Sequence, residues 1–162
     1  WLLLLSAPHR HGKLTSAGVL EVITRRTDVH YPRPKVVTLT QSTEMGSVYQ
    51  KGEISGISRI AQEHGLKVHM DGARFANALV ATDATAAEMT WKSGIDVVSF
   101  GGTKNGCLGV EAVVIFDPAK AWEFELRRKR GGHLFSKHRF LSAQMDAYLT
   151  DDLWLQIGRA HV

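Results

Sequence analysis

The sequence predicts an α/β protein with a mostly parallel sheet covered by helices on both faces. Short apolar runs at 35–40, 66–70 and 95–100 alternate with stretches of helical periodicity, and glycines stand where that periodicity stops. Polar clusters follow each apolar run, at the carboxyl ends of strands, where open α/β sheets bind ligands.

Taken in order, Trp1 to Leu5 is apolar and reads as a first strand, being far below the roughly 20 residues that span a bilayer. Thr15 caps a helix with Val19, Val22 and Ile23 on its inner face, and Pro32 and Pro34 end that pattern. Lys35 to Thr40 is a strand. Ile54, Ile57, Ile60 and Ala61 form a helical stripe closed by Gly65 in a left-handed cap, and the strand Leu66 to Met70 follows. Helices from about Arg74 and from about Thr85 to Ser93 lead, past Gly94, into the strand Ile95 to Phe100. Val110 to Phe116 comes after a connection too short for a helical crossover, so antiparallel pairing is expected. Asp117 and Pro118 open a helix whose inner face carries Trp122 and Leu126.

The 162 residues have the length of one domain, and 20 basic against 16 acidic residues give a net charge of +4 without a long single-sign tail. A lone cysteine, Cys107, excludes an internal disulfide and fits a reducing, cytoplasmic setting. His9, His11, His30, His64, His133 and His161 have no ligand spacing, so no metal site is expected. The chain opens on an apolar run rather than methionine and reads as a fragment: residues 1–156 form part of a large domain, and residues 157–162 match one frame of a sequencing adapter and are set apart as a tail.

Two segments carry the chemistry. Asp71, in Val68-His69-Met70-Asp71-Gly72-Ala73-Arg74, precedes Lys104, in Ser99-Phe100-Gly101-Gly102-Thr103-Lys104-Asn105-Gly106, by 33 residues, and each lies just past a strand. A carboxylate that holds a pyridinium proton and a lysine that bonds an aldehyde are what pyridoxal 5'-phosphate needs to act as an electron sink. Lys104 requires a lowered amine pKa, which a desolvated cleft beside other cations provides. Ser99 and Thr103 offer hydroxyls to a phosphate, and Arg74 offers a planar fork to a carboxylate. Each has a plainer reading: Asp71 as a helix cap, Lys104 as a solvated loop lysine, Arg74 as a surface helix residue. His69, on the face opposite Val68 and Met70, reads as a space-filling residue in preference to a contact with the cofactor edge.

Those segments, with Gln41-Ser42-Thr43-Glu44-Met45-Gly46-Ser47-Val48-Tyr49 and Arg130-Gly131-Gly132-His133-Leu134-Phe135-Ser136-Lys137-His138-Arg139, make the chain resemble the low-specificity threonine aldolases. These belong to the β-eliminating lyase group of aspartate aminotransferase-like pyridoxal phosphate enzymes. The resemblance implies that Lys104 bonds the cofactor, Asp71 pairs with its ring nitrogen, and Arg74 lies near the ring hydroxyl and the substrate carboxylate. It implies cleavage of L-threonine-like β-hydroxy-α-amino acids to glycine and an aldehyde by a homo-oligomer, dimer or tetramer, with a cation of the 130–139 segment near a neighbouring subunit's phosphate. The family's ring-stacking and main phosphate-holding residues, and a second carboxylate-binding arginine, have no counterparts here. The alternatives are another pyridoxal phosphate lyase or aminotransferase, and a non-catalytic α/β module whose basic run Arg127 to Arg130 binds nucleic acid or a partner. Cations closing a helix complement its dipole, so the expected partner is a small amino acid, with no nucleic acid and no membrane.

Overall fold

Thr15 stays extended, and its hydroxyl accepts from Gly18 N at 3.0 Å, satisfying one of the orphan donors of the first turn. Helix α1 (Ser16–Thr24) therefore begins where the cap places it. The computed structural model describes residues 3–134 and 136–160. Ahead of α1 lies a two-residue hairpin of β1 (His9–Arg10) and β2 (Lys13–Leu14). The first strand expected at Trp1 to Leu5 is not found over residues 3–5, where Leu3 and Leu4 are exposed; Trp1 and Leu2 lie outside the described residues. Among the described residues no strand flanks β3 on its outer side, so this run has no ladder to join.

The main sheet has the order β3 (Val36–Thr40), β4 (Lys67–Gly72), β5 (Val97–Gly101), β6 (Glu111–Ile115). The first three are parallel and β6 is antiparallel to β5, as the connection lengths require. Helix α2 (Lys51–Glu63) bridges β3 and β4, burying Ile54, Ile57 and Ala61, and Gly65 takes φ +70° just past its end. Between β4 and β5 run α3 (Phe75–Thr82) and α4 (Ala86–Met89), the latter opened by a Thr85/Glu88 capping box.

The helix expected over 85–93 breaks at Thr90 into a 3₁₀ turn, Trp91–Ser93. The Thr90 and Ser93 hydroxyls bond back to the carbonyls of Ala86 and Glu88, competing with the helical ladder. Helix α5 (Ala121–Arg130) follows a 3₁₀ turn capped by Asp117. Its expected inner face is not buried: Trp122 is 72% exposed and Leu126 47%, because no described element packs over them. Two helices absent from the sequence reading complete the chain, α6 (Arg139–Leu149) and α7 (Leu153–Arg159). Ile157 to Arg159, set apart as tail, form the last turn of α7. Buried Gly158 lies against the Ala76 backbone of α3, and its carbonyl accepts from Asn77 Nδ2 at 3.3 Å. His161 and Val162 lie outside the described residues.

Alternation along the strands separates two faces. Val37, Leu39, Val68, Met70, Val98 and Phe100 are buried in one core with Ile54, Ile57, Phe75, Leu79 and Tyr148. The other face shows Thr38, Thr40, His69, Asp71, Val97 and Ser99, all exposed or half-buried. The class and strand directions are those expected, while helical cover of the described strands is realised on the first face.

Candidate functional site

Asp71 belongs to β4, in register with Thr40 on one side and Ser99 on the other. It is a strand residue and not the cap of α3, a position that Arg74 occupies. Asp71 Oδ1 accepts from Ala73 N at 3.0 Å, which fixes the carboxylate, and the Asp71 carbonyl accepts from Gln41 N at 2.8 Å, tying the ends of β3 and β4 together. The glycines allow this closeness: a Cβ on Gly72 would stand 2.9 Å from the Ser99 carbonyl oxygen, and one on Gly101 2.9 Å from Ala73 Cα.

Arg74 is half-buried. Its Nη1 has no hydrogen-bond partner although it is shielded from solvent, and Glu44 Oε1 at 3.9 Å is near enough for an ion pair but too far for a hydrogen bond. A shielded guanidinium nitrogen without an acceptor, on the turn that follows Asp71, is ready for an anionic oxygen.

On the same strand face, His69 Nε2 and Ser99 Oγ lie 2.8 Å apart. Burial lowers the His69 pKa below the ordinary histidine value, and the nearby Asp71 charge pulls it partly back. Sequence reasoning read His69 as filling space and missed this bond. The period-2 spacing to Asp71 was the available signal, since two residues apart on a strand share a face.

Lys104 is the central residue of a 3₁₀ turn, Thr103–Asn105, just beyond β5. Both Thr103 and Lys104 are exposed, so the desolvated cleft expected around the amine is not formed by the described residues. No hydrogen bond or ion pair joins Lys104 to Asp71 or Arg74. What the fold does bring together is the pair of loops: Asp71 and Arg74 leave the carboxyl end of β4, and Thr103 and Lys104 leave that of its parallel neighbour β5. A groove of about 640 Å³ between β6 and α6, lined by Val110, Glu111, Leu141 and Met145, contains none of these residues.

The polar run after β3 is a pinned loop. The buried Gln41 carboxamide donates to the Tyr49 carbonyl and accepts from Tyr49 N, and Thr43 Oγ1 meets Ser47 Oγ at 2.7 Å. The basic segment is mostly solvated; Arg127 and Arg128 pair with Glu123 and Glu125, and Phe135 lies outside the described residues.

A family model described as beta-eliminating lyase matches residues 3–161. The chain is 52% identical over 153 residues to a low specificity L-threonine aldolase of a Pseudomonas species and 48% identical to that of Pseudomonas aeruginosa, matches that span 94% of this chain. It spans 44% of the length of these curated relatives. Among solved structures, threonine aldolase of Leishmania major superposes with a TM-score of 0.87 at 32% identity, over 95% of this chain and 45% of that one.

Proposed function

Because this chain belongs to the beta-eliminating lyase family, we propose that the whole protein uses pyridoxal 5'-phosphate to cleave L-threonine-like β-hydroxy-α-amino acids to glycine and an aldehyde. The observation that carries the reading is the Asp71-to-Arg74 turn, with an oriented carboxylate one residue from β4's end and a shielded guanidinium nitrogen lacking an acceptor. These residues fit the cofactor: an acid for its ring nitrogen, a cation for its ring oxygen or a substrate carboxylate, and an amine one strand away.

Bound pyridoxal phosphate would supply the electron sink that accepts the pair left on the substrate α-carbon when the bond to the β-carbon breaks. The protein's own work is binding and orientation. Asp71, with Oδ1 held by Ala73 N, would keep the proton on the ring nitrogen. Lys104 would anchor the cofactor through its amine, and Thr103 would offer its hydroxyl to the phosphate. Ser99, already engaged with His69, stands level with Asp71 on the same strand face and would meet the ring side rather than solvent. Arg74 would grip the substrate carboxylate, fixing which bond at the α-carbon is broken.

The proposal extends to a cytoplasmic homo-oligomer, a dimer or tetramer; the lone thiol and exposed Trp122, Leu126 and Phe140 support it. Among the described residues no helix is long and apolar enough to cross a membrane. The test is acetaldehyde release from L-threonine by the whole protein. No acetaldehyde together with transaminase or β-elimination activity would reassign the reaction within the same cofactor class.

A further inference from the structure

Lys104 is exposed, yet the residue after it is among the most buried polar groups of the chain. Asn105 is 1% exposed, and both protons of its carboxamide are used: Nδ2 donates to Tyr148 OH at 2.6 Å and to the Trp154 carbonyl at 2.8 Å. The flipped amide would set a carbonyl oxygen against the Trp154 carbonyl, so the hydrogen-bond partners select this orientation. Tyr148 sits on α6 and Trp154 on α7, and both rings pack on Phe100 of β5, at 6.0 and 5.5 Å between centroids.

The turn is tied at further points. Asn105 N and Cys107 N both donate to the Gly102 carbonyl, and a Cβ on Gly106, at φ +101°, would stand 3.2 Å from Ile157 Cδ1. A 3₁₀ turn of three residues has little stiffness of its own. Besides the carboxamide bonds, α6 is reached four residues past Lys104, where Leu108 N donates to Gln144 Oε1 at 2.9 Å.

Resting on the functional reading above, we infer that Asn105 is a positioning residue: its carboxamide, clamped between α6 and α7, holds the Lys104 backbone at the height where its amine reaches a cofactor paired to Asp71. The C-terminal helices thereby take part in the site although they contribute no group to the chemistry. A plain structural role would make Asn105 matter for stability alone.

The whole protein, stripped of cofactor and given pyridoxal phosphate, is quenched with borohydride at successive times, and the mass of the Lys104 peptide reports the rate of bonding. Melting temperature and total bound cofactor are measured alongside. Tyr148→Phe removes one clamp bond and keeps the ring, so its melting temperature should fall by no more than roughly 5 °C. Its Lys104 labelling should slow roughly 10-fold, and that of Asn105→Ala further, toward the roughly 100-fold that a displacement near 1 Å costs. Thr85→Ala, which loses a cap on remote α4, measures what destabilisation alone does and should label like wild type. Should Asn105→Ala fail to fold, Tyr148→Phe decides. Labelling of both clamp variants at the Thr85→Ala rate would overturn the positioning role and leave the functional reading standing. Wild-type protein that takes no label at Lys104 would overturn both.

Discussion

Gly101→Ala tests whether the two halves of the site are packed against each other as closely as the structure has them. The new Cβ would lie 2.9 Å from Ala73 Cα and 2.8 Å from Glu111 Oε2. Glu111 is a flexible side chain and can swing away. Ala73 is backbone, between Asp71 and Arg74, and an ordinary carbon contact of about 3.5–4.0 Å demands that it retreat by roughly 0.6–1.1 Å. Overpacking of this kind costs about 1–3 kcal/mol, which for a domain of this size is a melting-temperature loss of roughly 2–12 °C. Because the retreating segment carries Asp71 and Arg74, the shift should also weaken pyridoxal phosphate binding, read by titrating the visible absorbance of the cofactor. Thermal melts and that titration on the whole protein give both numbers. Wild-type melting and affinity would refute the close approach of β5 to the β4–α3 turn. Lost stability with unchanged affinity would show that the strain is relieved through β6, and would refute the link from Gly101 to the site.

Arg74→Lys should keep the cofactor absorbance but lose roughly 2 to 4 kcal/mol in kcat/KM, since a point charge cannot grip a carboxylate with two parallel bonds; unchanged kinetics would make Arg74 a plain surface residue. His69, held neutral by burial, stabilises the fold fully above the ordinary histidine value near 6.5, and this contribution is lost as pH falls below it, because the unfolded chain takes up the proton first. His69→Gln should therefore lack that acid-side decline, and denaturant melts from pH 8 to 5 that decline equally for both proteins would refute it. The Thr85 backbone N–H and then the Lys51 ammonium hold Glu88 down at about 2, from an ordinary 4.5. Glu88→Gln should be less stable than wild type at neutral pH, with the gap closing as pH falls from 4.5 toward 2, and a gap independent of pH would refute the assignment.

The parts of this fold legible in the sequence are those governed by local rules. Thr15 capping α1, Gly65 and Gly94 at positive φ, and the short link that makes β6 antiparallel all follow from neighbours within a few residues. Helices α6 and α7 escaped notice, although Leu141, Met145 and Tyr148 recur at helical spacing; the basic and glycine-rich segment before them drew attention to charge instead of period. The Leu3 to Leu5 run failed because hydrophobicity licenses a strand only where a neighbouring ladder exists. In the candidate site, residue type and spacing singled out Asp71 and Lys104, whose segments leave the carboxyl ends of neighbouring parallel strands. The His69–Ser99 bond and the Asn105 clamp were not, since both join residues at least 30 apart in sequence through tertiary contact.

The two halves of the site are secured by forces of different strength. Asp71 faces the open side of β4 because Val68 and Met70 face the core, and a one-residue slip of β4 would turn both into solvent. Each contributes about 1.5–3 kcal/mol by burial, so a slip would forfeit about 3–6 kcal/mol of the roughly 5–15 kcal/mol by which a whole domain is usually stable. The orientation of Asp71 is thus as secure as the fold. Lys104 lies beyond the end of β5 on a short 3₁₀ turn, and the side-chain clamp that ties this turn to α6 and α7 consists of two hydrogen bonds worth about 1 kcal/mol each. Substitutions that leave the protein folded should therefore disable the lysine half far more readily than the aspartate half. On this reasoning, tolerance to mutation around Asp71 should track melting temperature, while around Asn105, Tyr148 and Trp154 cofactor bonding should fail before the fold does.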